Sequence, residues 1–359
     1  MRTLVISDLH LGAPSAVDVL RDPAPRAALV AALAGIDRLV LLGDTIEGRG
    51  GPQRAALDVA LPVLTEIGAA MAGGEVVIVP GNHDHELAVR WLEDGPSLRL
   101  DERCEPALAS PGASELARAL APASVVIAYP GLWLRDDVYA THGHYLDVHT
   151  PIPVLERLAA GAMTRLAGAP PRLGARPEDY ERILAPLYAF SHASAARTPA
   201  GGRAAGSAHS ARLWRTLAAH GPRSLRVRAL AASFPLAIAA INRAGLGPVQ
   251  ADVSVDALRR GSLDGLREVV RRLGIDATHV IFGHTHRTGP LPGDDLDEWG
   301  TLVNAGSWVR QPHFTDTGGR DPGSSPYRAG GAVELDASGP PRVRMLLDEP
   351  PAATAPARA

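Results

Sequence analysis

The pattern of apolar and polar positions changes twice along the chain. Up to residue 150, short apolar runs alternate with amphipathic stretches, which is typical of a layered α/β domain. The apolar runs predict strands covered on both faces. These strands are expected at residues 3–7, 38–42, 75–79, 124–128 and 138–141, with helices at 26–34 and 54–71. We therefore take residues 1–150 as the first half of an α/β core.

Residues 151–275 have a different pattern and contain no convincing strand. Their apolar positions recur at helical spacing, and a stretch rich in Gly, Ala and Ser interrupts them at 198–210. Helices are predicted at 154–166, 177–191, 211–220 and 224–241, and strands resume at 278–282, 301–305, 331–335 and 342–347. This predicts a helical insertion, or cap, at 151–275 and a second half of the core at 276–348. The Pro/Ala-rich tail at 349–359 is expected to be disordered.

Composition limits the class of protein. The longest weakly polar stretch, residues 229–241, falls short of the roughly 20 residues that span a bilayer. The first strand begins at residue 3, which leaves no room for a signal peptide, and the single cysteine fits a reducing compartment. We therefore expect a cytoplasmic protein.

Charge is unevenly distributed along the chain. Residues 151–260 carry 15 Arg against 6 Asp plus Glu, a local net charge of +9. The rest of the chain therefore carries a net charge of −12, because the overall net charge is −3.

Five short polar segments follow predicted strands. They are Asp8-Leu9-His10, Gly43-Asp44, Gly81-Asn82-His83-Asp84, His142-Gly143-His144 and Gly283-His284-Thr285-His286. Strand ends from distant parts of the chain can bring such side chains together at one edge of a sheet. Oxygen and imidazole ligands without thiolates suit Mn, Fe, Zn or Mg. The segments together predict a two-metal site.

The ordered series D-x-H, G-D, G-N-H-D, H-G-H and G-H-x-H resembles the calcineurin-like metallophosphoesterases. The resemblance covers both α/β segments and implies two mixed sheets flanked by helices. It also implies two divalent metal ions, with Mn expected first and Fe, Zn or Mg as the other options. One metal would be held by Asp8, His10 and His286, the second by Asn82, His142 and His284, and Asp44 would bridge them.

The same resemblance implies hydrolysis of a phosphomonoester, phosphodiester or pyrophosphate. Two cations about 3.5–4 Å apart lower the pKa of a bridging water, and the resulting hydroxide attacks phosphorus in line. His83 would stay off the metals and act at the scissile phosphate as a proton donor or charge stabiliser. Glu47 would orient His83, with a solvent-facing role as the alternative. His144 and Arg287 are candidates for contact with the substrate phosphate.

Several neighbouring polar residues favour ordinary structural roles. Asp84 is expected to be a turn residue, with support of the metal ligands from behind as the alternative. Asn304 is expected to be a structural residue that closes the sheet, with contact to the substrate as the alternative. His85, Asp147 and His149 are expected at the surface.

The motif style is closest to the branch that contains UDP-2,3-diacylglucosamine pyrophosphohydrolase, which cleaves a nucleotide-linked lipid beneath a helical lid. This chain has His83 where that enzyme type carries Arg, and a longer insertion. Arginines and leucines at 212–230 suit either contact with a lipid phosphate or membrane surface, or an ordinary helical cap.

Nucleic-acid binding is disfavoured because aromatic residues make up only 4% of the chain. A non-catalytic scaffold and a nuclease of the same superfamily stay open as alternatives, and the sequence does not define an oligomeric state.

Overall fold

The strands of the computed structural model form two mixed sheets. The structure describes residues 1–93, 98–153, 155–167, 170–197, 225–252, 254–311 and 325–348. The strands are β1 (Thr3–Ile6), β2 (Arg38–Leu42), β3 (Glu75–Val79), β4 (Glu102–Cys104), β5 (Ser124–Tyr129), β6 (Gly131–Arg135), β7 (Val138–Thr141), β8 (His279–Phe282), β9 (Thr288–Gly289), β10 (Leu302–Ala305), β11 (Gly331–Leu335) and β12 (Arg342–Met345).

The first sheet has seven strands in the order β12-β11-β1-β2-β3-β5-β4, and the second has five in the order β6-β7-β8-β10-β9. Strands β1, β2, β3 and β5 run parallel, as do β7, β8 and β10, while the edge strands are antiparallel. The parallel strands of each sheet therefore end at a common edge.

Helices cover the outer face of each sheet. The helices of the described residues are α1 (Pro23–Ala32), α2 (Gln53–Ala70), α3 (Val89–Glu93), α4 (Pro106–Ala109), α5 (Pro111–Ala119), α6 (Leu155–Ala167), α7 (Pro177–Ala196), α8 (Leu225–Arg243), α9 (Val255–Leu273) and α10 (Leu296–Trp299), of which α1, α2 and α5 pack on the first sheet and α6, α7 and α9 on the second. Short 3-10 helices lie at Val19–Arg21, His85–Ala88 and His144–Val148. None of the helices in the described ranges has the combined length and apolar character of a membrane span.

Alternation along the strands separates three apolar layers. In β1, Val5 faces the second sheet, whereas Leu4 and Ile6 pack beneath α1, α2 and α5. On the other side, Val280 and Phe282 of β8 pack against α6, α7 and α9. The period of two thus buries both faces of each sheet. The layered α/β fold is confirmed.

The predicted elements differ from the structure in detail. Every predicted strand is present, but the short strands β4, β6 and β9 were not predicted. Helices α6, α7 and α9 form the outer layer on the second sheet, so this part of 151–275 belongs to the sandwich as well as interrupting it. The predicted features at 198–210, 211–220 and 349–359 lie outside the described residues. The domain boundaries stay a prediction.

Candidate metal centre

The five polar segments meet at the carboxyl ends of the strands. Asp8 follows β1, Asp44 follows β2 and Asn82 follows β3 in the first sheet, whereas His142 follows β7 and His284 follows β8 in the second. The site therefore lies where the edges of the two sheets come together. Residues as far apart in the sequence as Asp8 and His284 therefore form one site.

The predicted ligands form two groups around one carboxylate. In the first group, His286 Nε2 lies 3.1 Å from Asp8 Oδ1, and His10 Nε2 lies 3.6 Å from Asp44 Oδ2. In the second group, His142 Nε2 lies 3.4 Å from the same Asp44 oxygen.

Asn82 completes the second group. Its Oδ1 lies 3.1 Å from both His142 Nε2 and His284 Nδ1. The structure thus brings all seven predicted ligands together, with Asp44 between the two groups, and their ligand roles stay predictions.

The chemistry of these side chains fits divalent cations. Three sets of side chains place one ligand atom each within 4.8 Å of the others, and Asp44 belongs to two of the sets. The remaining set consists of Asp8, His10 and His286, and Asp8 Oδ1 is buried without a hydrogen bond of good geometry. A bound cation would satisfy that oxygen. Carboxylate, amide and imidazole donors suit Mn, Fe or Zn better than Ca.

Backbone conformation marks the same residues. Six non-glycine residues of the described chain have positive φ, and five of them are predicted ligands: Asp8 (55°), His10 (45°), Asp44 (50°), His284 (66°) and His286 (59°). This left-handed region costs a non-glycine residue about 1 kcal/mol or more and is concentrated at functional sites. The surrounding packing therefore holds these side chains in orientations that an unconstrained chain would avoid.

The glycines that precede the ligands allow close approach between strand ends. A Cβ atom on Gly43, whose φ is 86°, would lie 2.1 Å from His142 Nδ1. On Gly283 it would lie 1.9 Å from Ser7 Oγ. Any side chain at either position would force the two sheets apart at the site.

Hydrogen bonds fix the ligand side chains from behind. His142 Nδ1 donates to the carbonyl oxygen of Leu42 (3.0 Å), which directs Nε2 towards Asn82 and Asp44. The Asp84 carboxylate accepts from the backbone N–H groups of Gly81 (2.6 Å) and Thr45 (2.7 Å). It therefore ties the turn that carries Asp44 to the turn that carries Asn82.

Glu47 and His83 form a pair beside the ligand cluster. The His83 Nδ1 atom lies 2.9 Å from both carboxylate oxygens of Glu47, and the His83 backbone N–H donates to Asp44 Oδ1 (2.8 Å). Glu47 also lies 3.1 Å from His10 Nδ1. A carboxylate on Nδ1 places the proton there and directs Nε2 outward. The pairing anticipated for Glu47 and His83 is present in the geometry.

Burial and mutual charge set the ionisation of the cluster. Burial acts to raise the pKa of Asp44, but His142 and His83 outweigh it and hold that pKa well below its ordinary value. Burial lowers the pKa of His142, but Asp44 outweighs it and raises the value to about 9. Burial, followed by the charge of Asp44, raises the pKa of Asp84 to about 7. The cluster carries a high density of interdependent charge, as expected of a site that binds cations.

Two residues expected at the surface are buried. Asp147 is 4% exposed, and its carboxylate oxygens lie 3.1 Å from His284 Nε2. His85 is also buried, and His149 is half-buried within 2.9 Å of the Tyr180 hydroxyl. The surface assignment was therefore wrong for Asp147 and His85. The 3-10 helix His144–Val148 turns Asp147 back towards the ligands, and the apolar pattern did not predict that turn.

The two substrate-contact candidates have other partners in the structure. His144 is buried, with its ring 5.6 Å from the rings of both His142 and Tyr188. Arg287 pairs with Asp294 at 2.6 Å and stacks over Trp299. Contact of either residue with substrate stays a prediction.

A cavity of about 290 Å³ opens from the ligand cluster. Asn82, His83 and His284 line its polar end, and Leu258 and Trp299 line part of its apolar wall. Arg49, Arg259 and Arg287 also face it. The basic residues at this cavity include Arg49, which the sequence motifs did not single out.

The two mixed sheets flanked by helices, with a cluster of Asp and His side chains at the strand ends, are consistent with a metallophosphoesterase fold. Residues 1–165 match the family model of the calcineurin-like phosphoesterases, which supports that superfamily. No curated protein sequence matches the chain. The specific pyrophosphohydrolase branch therefore stays a prediction.

Two solved structures have low similarity to the chain. One is the cold-active protein-tyrosine phosphatase of a psychrophilic Shewanella species, at 13% identity and a TM-score of 0.29. The other is a point mutant of a cold-active protein-tyrosine phosphatase, at 14% identity and a TM-score of 0.30. Each alignment covers 94% of this chain and 75% of the other.

Proposed function

We propose that the protein is a binuclear metal-dependent phosphoesterase. The observation that carries the proposal is the position of Asp44, whose carboxylate lies within 3.6 Å of imidazole nitrogens from two different ligand groups. A single shared carboxylate between two sets of donors is what a pair of adjacent cations requires. The match of residues 1–165 to the calcineurin-like phosphoesterases supports the same reaction class.

The residues would divide the work between binding and proton transfer. Asp8, His10 and His286 would hold one metal, Asn82, His142 and His284 the second, and Asp44 both. When bound, the two cations would neutralise charge on the phosphoryl oxygens and acidify a water molecule. We expect manganese, with iron, zinc or magnesium as the other options.

His83 would act on the ester from outside the metal ligands. Glu47 holds its Nδ1, so Nε2 faces the cavity and can carry the proton that the leaving oxygen takes up. Glu47 fixes the orientation of the ring. This pair therefore supplies the general acid, whereas the ligand cluster supplies the charge that binds the phosphoryl group.

The cavity suggests where the rest of the substrate lies. The phosphoryl group belongs at the polar end, so the alcohol portion would extend along Leu258 and Leu263 of α9. Monoesters, diesters and pyrophosphates all suit the polar end. A compact apolar or nucleotide-linked group suits the remaining volume, and a lipid-like substrate, a peripheral membrane contact and a cytoplasmic location stay predictions from the sequence.

Hydrolysis assays after metal exchange test the proposal. Protein stripped with chelator and reloaded with Mn²⁺ should release nitrophenol from nitrophenyl phosphate mono- or diesters, or phosphate from a panel of nucleotide pyrophosphates. The stripped protein should be inactive. Reloaded protein that binds two metals and cleaves nothing in the panel would refute a general esterase, and binding of less than about one metal would support a non-catalytic scaffold.

A further inference from the structure

The cavity at the ligand cluster has two walls that come from different parts of the chain. Leu146 and Ile152 lie on the segment after β7 and form part of one wall, and Leu258 and Leu263 lie on α9 and form part of the other. Leu146, Ile152 and Leu263 are at most 5% exposed. The walls are therefore apolar at these positions.

Backbone contacts hold the first wall in place. The Thr150 carbonyl oxygen accepts from Arg157 Nε of α6 (2.9 Å), and the Pro151 carbonyl oxygen accepts from the Gln250 backbone N–H (2.7 Å). A Cβ atom on Gly265 of α9 would lie 3.2 Å from the Thr150 backbone nitrogen, so α9 packs directly against the same segment. Because close-packed backbone yields little, the fold sets the width of the cavity.

Outside the ligand cluster, the arginines of the described residues that line the cavity all have carboxylate partners. The pairs are Arg49 with Glu156 (3.4 Å), Arg259 with Glu298 (2.5 Å) and Arg287 with Asp294 (2.6 Å). A charged group on a ligand would have to disrupt one of these pairs or be buried without a partner, and both cost free energy. The cavity beyond the ligand cluster therefore favours an uncharged group.

The size of the cavity limits the ligand further. Its volume of about 290 Å³ lies just below the roughly 300–1,000 Å³ that is typical of pockets for drug-sized ligands. Phe282 and Trp299, each 1% exposed, line it as well. A phosphoryl group and one compact apolar group suit this volume, whereas a nucleotide-linked or diacyl group is drug-sized or larger.

We propose that the substrate is a small-molecule phosphomonoester whose alcohol portion is uncharged, compact and apolar. The inference rests on the proposed function and narrows it, because the sequence left nucleotide-linked and lipid-like substrates open. The phosphoryl group would lie at the ligand cluster and the alcohol portion between Ile152 and α9. Hydrolysis would transfer the oxygen of water to phosphorus and break the ester bond, and the alcohol would leave with a proton.

Binding of phosphonates, which are not hydrolysed, tests this inference without turnover. Isothermal titration calorimetry on Mn²⁺-reloaded protein would compare methylphosphonate, 3-phenylpropylphosphonate and decylphosphonate. The phenylpropyl compound should bind about 10- to 150-fold more tightly than methylphosphonate, the range for burial of one aromatic side chain. Decylphosphonate should gain less than about threefold over the phenylpropyl compound, because the extra carbons would stay in water.

A nucleotide pair tests the exclusion of a nucleoside. The compounds are α,β-methylene-UDP and methylenediphosphonate, which carry the same pair of phosphorus groups and differ in the uridine. Because the diphosphonate group binds metal in both, any difference in affinity reports on the nucleoside alone. The uridine should add less than about threefold to the affinity.

A side-chain change inside the cavity gives the matched comparison. Ser262 of α9 is half-buried and lines the cavity, so a larger side chain there would occupy the space of the alcohol portion. Ser262→Phe should lower the ratio of phenylpropylphosphonate affinity to methylphosphonate affinity at least about tenfold. Ser191→Phe is the control and should leave the ratio unchanged. Ser191 is also half-buried and donates to the carbonyl oxygen four residues earlier at 2.9 Å, as Ser262 does, but does not line the cavity.

The results separate this inference from the proposed function. Equal binding of methylphosphonate and phenylpropylphosphonate would overturn the inference, and so would a gain of more than about threefold from the uridine or the decyl chain. Equal ratios in Ser262→Phe and Ser191→Phe would also overturn it. If Ser262→Phe does not fold, the wild-type series decides.

Hydrolysis by the wild-type protein completes the separation. If the phosphonates bind as expected but the protein hydrolyses no ester, the ligand class stands and the esterase proposal fails. If the protein hydrolyses esters with equal kcat/KM for 3-phenylpropyl phosphate and ethyl phosphate, the esterase proposal stands and this inference fails.

Discussion

Replacing Glu47 with Gln should separate proton transfer from metal binding. The buried carboxylate receives hydrogen bonds from His83 Nδ1 (2.9 Å), His10 Nδ1 (3.1 Å) and the backbone N–H groups of Arg49 (2.9 Å) and Gly50 (2.8 Å). Gln keeps one acceptor oxygen. If that oxygen stays on the backbone N–H groups, the new amide faces two imidazole N–H groups, and two bonds to a charged acceptor are lost.

The size of the effect follows from those two bonds. Each is worth about 1.5–3 kcal/mol, and only the bond to His83 acts on proton transfer, so kcat should fall by about 10- to 150-fold. Because His10 loses its outer partner, metal affinity at the Asp8, His10 and His286 group should fall about 10- to 100-fold. Near saturating Mn²⁺, the loss in kcat should persist.

The assay is nitrophenyl ester hydrolysis over a range of Mn²⁺ concentrations, with metal content measured on the same samples. Glu66→Gln is the control, since Glu66 is half exposed and pairs with Arg26 on the outer helices. A Glu47→Gln protein that keeps kcat within about threefold of wild type at full metal content would refute the assigned role of Glu47.

Three further predictions test the ligands, the cavity wall and a buried acid. Asp44→Ala should lose metal and activity together, whereas His83→Ala should keep both metals and lose turnover by about 100-fold or more. Equal metal loss in the two variants would contradict the assignment of Asp44 as a ligand and His83 as a non-ligand. Leu258→Asn should lower kcat/KM for 3-phenylpropyl phosphate more than for ethyl phosphate, while Leu273→Asn, on the same helix but outside the cavity, should affect both equally. Burial outweighs two tyrosine hydrogen bonds and raises the pKa of Glu181 to about 7 from an ordinary 4.5, so the folded state retains a proton that the unfolded state has released. Folding stability from this group is therefore present below pH 4.5 and lost as pH rises through about 7, by up to about 3 kcal/mol; denaturant melts of Glu181→Gln should lack that loss, and parallel pH curves would contradict it.

The strand ends made much of the candidate site predictable. Apolar runs at β1, β2, β3, β7 and β8 are short and well bounded, and each is followed at once by a polar segment. Parallel strands of one sheet end at one edge, which predicts that the polar segments of each sheet lie close together, whereas the assignment of the seven ligands came from the family resemblance. The Glu47–His83 proximity came from the family resemblance.

Residues whose position depends on tertiary packing were missed. Asp147 reaches His284 only because a 3-10 helix follows β7, and a five-residue turn has too few positions to show a period. Arg49 meets Glu156 across 107 residues of sequence, and no local pattern encodes that contact.

The missed strands have similar causes. Strand β9 has two residues, and β4 places the charged Glu102 and Arg103 in a three-residue edge strand, where solvent tolerates them. Neither produces an apolar run. Helices α6 and α7 were predicted, whereas α9 was not predicted as a separate helix, and the position of all three on the second sheet depends on contacts that the period does not specify.

The most direct test of a two-metal phosphoesterase is a titration of activity against bound metal. Mn²⁺ would be added in fractions of an equivalent to chelator-stripped protein, with nitrophenyl ester hydrolysis and bound metal measured at each step. A two-metal site predicts no hydrolysis without metal and a rise in hydrolysis that ends at two bound ions per chain. Hydrolysis that is complete with one ion, or that is the same before and after stripping, would contradict it.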